Sequence, residues 1–167
     1  MKITPAWKDA EGKGLKDLGW ALQYEGSIES EEEIEIEIGS RWLKLSGSLK
    51  SQRFITAGRG ITAGSGITAG WGITAGEGIT AGEGITAGWG IEAGWGIKAG
   101  QGIKAGWGIK AGLSITCKKV LQWSFNLFAG TAVWEKPTDE ETVIKAGELR
   151  GGEVKYGIVR LLKESTL

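Results

Sequence analysis

An all-β, three-sided parallel solenoid is the fold class this sequence predicts, and three observations predict it. Isoleucine recurs every six residues from Ile55 to Ile115 without a slip. Two residues after each stands a small residue, alanine from Ala57 to Ala111 and then Cys117. Through Gly108 the link between these pairs is G-x-G, so the unit is I-x-A-G-x-G. Internal repetition at a fixed period is the signature of stacked architectures.

The spacing inside one unit assigns its parts. Within I-x-A the period is two, so Ile and Ala share the inner face of a short strand and x points out. The flanking glycines supply a bend, where a positive φ is expected. A helix is excluded, since each glycine would cost it about 1 kcal/mol. Three strands and three corners make an 18-residue coil, and coils stack at roughly 4.8 Å.

The x of G-x-G tests the coil length. Read at every third hexad, one corner carries Trp71, Trp89, Trp107 and then Phe125. A second carries Ser65, Glu83, Gln101 and Lys119, and the third Arg59, Glu77, Trp95 and Leu113. An aromatic column on one corner appears only if the coil has 18 residues. Glu77 and Glu83 then face outward from the other two corners.

The register continues beyond the clear repeats. Leu121, Leu127 and Val133 extend it forward, and Leu43 and Leu49 extend it backward. Leu22, Ile28 and Ile34 keep the six-residue interval but fall out of phase. These signals give an N-terminal cap over 1–42, a solenoid over 43–133 that is most regular over 54–117, and a C-terminal cap over 134–167. In "IESEEEIEIEI" (28–38), Ile34, Ile36 and Ile38 point inward and Glu35 and Glu37 outward. Trp7, Leu15, Leu18 and Trp20 are expected to cover the first end. "EVKYGIVRLL" reads as a strand or short helix, after a "KPTDEET" loop in which Thr138 or Asp139 is a candidate helix N-cap. Uncovered ends would template end-to-end association.

Composition narrows the function. Twenty Lys and Arg balance 20 Asp and Glu. That balance argues against a generic polyanion binder and against an acidic nucleic-acid mimic. The start lacks an apolar signal region and no run suits a bilayer span, so a cytoplasmic protein without a membrane partner is expected. Cys117 is the one cysteine. It occupies an inward alanine slot and reads as a buried small hydrophobe.

At the hexad level the chain resembles the left-handed parallel β-helix family, which uses aliphatic-x-x-x-small-x repeats. The shared feature is the "I-x-A-G" core over roughly half the chain. The resemblance implies left-handed coils. The family usually points a small residue inward two places before the aliphatic one, where this chain has Trp, Glu, Gln or Arg. The I-x-A repeats are also similar to those of bactofilin-type polymer-forming solenoids. The "GWGIKAG" arrays look like small proteins of bacteriophages and mobile elements.

Many hexapeptide solenoids are acyltransferases with a histidine general base. This chain contains no histidine, and nothing else in the repeat titrates near neutrality. A non-enzymatic protein without a cofactor or metal is expected. The G-x-G corners precede strands rather than a helix, so they read as turns and not phosphate loops. Outward Thr56, Thr62, Thr68, Thr74, Thr80 and Thr86 give two rungs per side, too few for an ice-binding plane.

Two groups of residues remain as candidate binding features. The first is an aromatic ridge of Trp71, Trp89, Trp107 and Phe125, with Trp95 on a neighbouring corner. Either the aromatic segment Trp123, Phe125, Phe128 and Trp134 folds over it, or it is an exposed contact surface. The second group is charged. An acidic N-terminal region holds Glu29, Glu31, Glu32, Glu33, Glu35 and Glu37. Lys98, Lys104 and Lys110 fall on three different sides, while Lys118 and Lys119 thicken one of them. A protein partner is expected, and the phage-like resemblance implies a bacterial defence complex, with this chain an anti-CRISPR-like inhibitor in a host cytoplasm. The alternatives are a self-assembling scaffold joined through coil ends or Trp corners, and a module that stacks carbohydrate or nucleic acid on the Trp ladder.

Overall fold

The computed structural model describes residues 1–134 and 136–162. Among them there is no helix; short strands build three sheets of eight, nine and seven strands, parallel except where Lys16–Asp17 pairs antiparallel with Ala21–Tyr24 at the edge of the nine-stranded one. The first side of the solenoid contains Ile55–Ala57, Ile73–Ala75, Ile91–Ala93 and Ile109–Ala111. The second contains Ile61–Ala63, Ile79–Ala81, Ile97–Ala99 and Ile115–Cys117. The third contains Ile67–Ala69, Ile85–Ala87 and Ile103–Ala105.

Register follows the 18-residue coil. Ile73 pairs with Ile55 and Ile91, and Ala75 with Ala57 and Ala93. Like residues therefore stack on like through the interior. Every repeat isoleucine is at most 1% exposed, so the core is a column of β-branched side chains that suits the pleated surface. Cys117 continues the alanine column, and burial pushes its thiol up to about 11.

The repeat glycines serve a different purpose from the expected positive φ. Positive-φ glycines are Gly12, Gly19, Gly26, Gly39, Gly130 and Gly157, none of them in the hexads. What the first glycine of each link from Gly64 to Gly106 permits is close approach. A Cβ on Gly82 would lie 1.9 Å from the carbonyl oxygen of Gly64 in the coil below. Corners stack backbone on backbone, and only a hydrogen fits between them.

Parallel pairing extends on both sides of 43–133. Leu22, Ile28 and Ile34 pair with Leu43, Leu49 and Ile55, each 21 residues on. Three extra residues around Gly39 (φ 67°) explain why the early aliphatics fall out of phase. Ile34, Ile36 and Ile38 are buried as their alternation predicts. Lys2–Ile3 adds an outer strand there. Met1, Trp7 and Leu15 pack on the core, with Trp7 edge-on to Tyr24 at 5.2 Å, while Trp20 stays exposed. The core is covered at this end.

At the other end Leu121 and Leu127 keep the rung on Ile103 and Ile109. Val133 does not take the next rung; it is 94% exposed, and Ile144 pairs with Ile115 instead. The intervening segment loops out. Within it Thr138 binds Glu141 through both its N–H and its hydroxyl, but one turn follows rather than a helix. Thereafter the inward residues Ile144, Leu149, Val154 and Val159 come every five residues, and the coil shrinks to 15. Glu153–Tyr156 and Ile158–Leu161 are both strands. Trp123 takes an inward alanine slot beside Gly151 and is buried, with its indole N–H unpartnered among the described residues.

Candidate functional site

Each corner carries a furrow floored by the second glycine of the G-x-G links. The three furrows end differently, and what lies in them decides where a ligand can go. At the corner between the first and second sides, the floor is Gly60 and Gly78. Trp42 stands one coil earlier in the same slot, and its ring lies along the furrow. A Cβ on Gly60 would meet that ring at 2.4 Å and one on Gly78 at 2.9 Å. Its far edge reaches Trp95, ring centroids 6.3 Å apart. The indole N–H donates to Glu77, and Arg59 pairs with the other oxygen of that carboxylate. Glu77, expected to face outward, is thereby buried at 8% exposure.

At the corner between the third and first sides, Phe54 holds the matching slot and reaches only the first rungs. It meets Trp71 at 5.1 Å and Trp89 at 6.0 Å, both edge-on. Beyond Phe54 the furrow is open, with a volume of about 420 Å³. Its floor is Gly72, Gly90 and Gly108; Trp89, Trp107 and Phe125 line it on the corner side. Thr74, Glu92, Lys110 and Phe128 line it along the first side. Lys110 Nζ bonds Glu92 at 2.8 Å across adjacent strands, which leaves a neutral, hydrogen-bonding margin.

The column expected from the sequence is present and outward. Trp71 and Trp89 stack at 5.5 Å with planes 7° apart, Trp89 and Trp107 at 6.2 Å and 25°. Phe125 closes the far end edge-on at 5.6 Å, and Arg53 sits over Trp71 at 5.7 Å. Exposure rises along the column, from 40% at Trp71 to 63% at Trp107. The aromatic C-terminal segment does not cover it. Trp123 is buried in the core, and Trp134 packs near Gly112 on another corner.

The third furrow, between the second and third sides, is polar. Its roughly 360 Å³ are lined by Glu83, Gln101, Lys104 and Gln122 among others.

The charged candidates are spread out. Lys98, Lys104 and Lys110 lie on the second, third and first sides respectively. Lys119 Nζ donates to Gln101 at 3.3 Å, and Lys118 stands beside it in the chain, at the corner between the second and third sides. The acidic end is largely paired within the molecule: Lys2 with Glu35 and Glu37, Lys50 with Glu29, and Arg53 with Glu32. Lys2 holds the Glu37 carboxyl below its ordinary range. Glu31 and Glu33 remain as exposed acidic residues at that end.

Trp42 and Phe54 were not among the candidates from sequence. The signal for them lies in phase. The residue just before each inward aliphatic is glycine in every hexad from 60 to 108, and at 42 and 54 it is aromatic. No protein-family model, curated protein or solved structure matches this chain.

Proposed function

We propose that this protein is a non-catalytic interaction module that receives an apolar side chain of a protein partner in the furrow beside Trp89, Trp107 and Phe125. The observation that carries this reading is internal. The equivalent furrow at the neighbouring corner already holds an indole, that of Trp42, on the same glycine floor. A second furrow of the same build stands open next to exposed aromatic rings, and rigid apolar surfaces ringed by polar groups are where binding energy concentrates. The coil stack pre-organises it, so little entropy is lost on docking.

Ring geometry disfavours the ligand-stacking alternative. Trp71, Trp89 and Trp107 use their faces on one another, and Phe54 and Phe125 close the two ends. A sugar or base would find mainly ring edges, whereas stacking platforms offer open faces. The phage-like character of the repeats directs the search for the partner to bacterial defence complexes, with this chain acting as an inhibitor by occlusion. The test is capture from a lysate containing such complexes, run with the wild type and with a Trp89→Ser/Trp107→Ser variant of unchanged circular dichroism. A partner held by the wild type and lost by the variant supports the proposal. Equal capture by both would refute it, as would indole fluorescence that responds to glycans or oligonucleotides while no protein binds.

A further inference from the structure

The two ends of the stack differ. At the first end the outer edge of Ile28–Ser30 is unpaired, but Lys2–Ile3 and the packed Met1, Trp7 and Leu15 keep the aliphatic residues there, Ile3, Leu22 and Ile28, buried. At the other, the last strands of the three sheets are Glu148–Arg150, Glu153–Tyr156 and Ile158–Leu161. No described residue pairs with their outer edges. Apolar surface comes with them: Val159 is 41% exposed and Leu161 60%. Three open edges around an exposed core are a template for another chain.

From these edges we infer that the terminal coil is a homodimer surface, in which a second copy docks end to end about a two-fold axis through Val154. The geometry selects both the occupant and the register. A two-fold axis perpendicular to the stack, through the middle of the last turn, sets each residue before Val154 against the one equally far after it in the other copy. The step of the coil cancels under that operation, so the spacing stays even around the whole turn and all three edges pair antiparallel. Because the inward residues come every five positions, Leu149 then faces Val159 and Val154 faces itself, and the core continues across the junction.

Charge picks this register from its neighbours. About Val154, Glu153 faces Lys155 of the other copy and Glu148 faces Arg160, twice each by symmetry. Each intrachain pair (Glu153 with Lys155, Glu148 with Arg150, Arg160 with Glu140) thus meets its complement across the junction. No like charges meet. Moving the axis by half a residue slips the pairing by one and sets inward residues against outward ones. Moving it to Glu153 sets that carboxylate against itself. Moving it to Lys155 sets lysine against lysine and Arg150 against Arg160. Opposite charges on facing strands favour a pairing and like charges oppose it. A two-fold contact is also self-limiting: it closes as a dimer and does not propagate into a filament.

Sedimentation across a concentration series tests the dimer, and Val154→Cys tests the register. Facing Cα atoms in an antiparallel pair are about 4.5–5.5 Å apart, within disulfide reach. Oxidation should therefore link Val154→Cys chains in pairs and leave Val159→Cys unlinked, with native Cys117 buried and silent. Glu153→Lys and Lys155→Glu should each weaken the dimer about tenfold or more. The double exchange E153K/K155E should restore it, with each variant's melting checked separately. A chain that stays monomeric to its solubility limit overturns the inference. So does a dimer that fails to link through Val154→Cys or ignores the charge exchange. None of these residues lines the aromatic furrow, so partner binding there is read independently.

Discussion

At the corner between the third and first sides, the slot between two glycines holds Trp71, Trp89 and Trp107, all exposed. At the next corner the same slot holds Arg59, Glu77 and Trp95, and there a carboxylate is buried. Backbone, coil length and glycine floor are alike, so the hexad does not decide which corner is closed. What decides it is the aromatic side chain laid into the furrow from the preceding coil. Trp42 runs far enough to cover two glycines and hydrogen-bond Glu77. Phe54 is shorter, lacks a donor, and stops at the first rungs. One corner is thus completed from within, and the other stands open.

The largest expected effect breaks the coil stack itself. Gly88→Ala places a methyl 1.9 Å from the Gly70 carbonyl oxygen, so two coils must part. A loss above about 4 kcal/mol is expected, seen as a collapse of the thermal transition. Gly84→Ala meets its nearest atom at 3.4 Å and should melt close to wild type. Equal melting of the two variants would show that the corners are not in contact.

Next come changes that open the closed corner. Trp42→Ala empties the filled furrow and strands Glu77, at a cost of about 3 kcal/mol. Glu77→Ala leaves the indole N–H and Arg59 without their acceptor and should cost about 2 kcal/mol. Trp107→Ser on the open corner removes a largely exposed ring and one stacking contact, about 1 kcal/mol. Chemical denaturation measures all three. If Trp107→Ser proves as costly as Trp42→Ala, the open corner is structural and the contrast fails.

Smaller effects concern the orphaned donor and the ends. Trp123→Phe removes a buried N–H with no partner among the described residues and should be neutral or stabilising within about 1 kcal/mol. Acid should loosen the ends first. A hydrogen bond from Tyr24 lowers Asp9, and Arg160 and Arg150 lower Glu140 and Glu148. Depressed carboxylates contribute stability that is full above the ordinary carboxylate range and is lost as pH falls through their folded values. Hydrogen exchange at pH 3 should therefore show residues 1–24 and 140–161 opening before the Ile55–Ala111 coils. Uniform opening would contradict that.

Much of this was legible from residue spacing. Eighteen-residue coils, inward Ile and Ala, the stacked Trp71, Trp89 and Trp107, and the separation of Lys98, Lys104 and Lys110 all follow from periods that local geometry enforces. The rest depended on what lies over a residue, which period alone does not carry. Glu77 has the sequence context of an exposed corner, yet Trp42, 35 positions earlier, buries it. Val133 sits on the six-residue rhythm but was outcompeted by Ile144 once the chain looped out. The repeat glycines looked like bends, and their real constraint is a neighbouring coil that no single hexad reveals.

The central claim is that the open furrow is the binding face, and a furrow-filling variant tests it most directly. Thr74→Trp sets an indole against the furrow from its exposed margin without altering any inward residue. Titrating the captured partner against this variant and the wild type, with circular dichroism confirming equal fold, should show at least a hundredfold loss of affinity. An unchanged affinity in the folded variant would contradict the account.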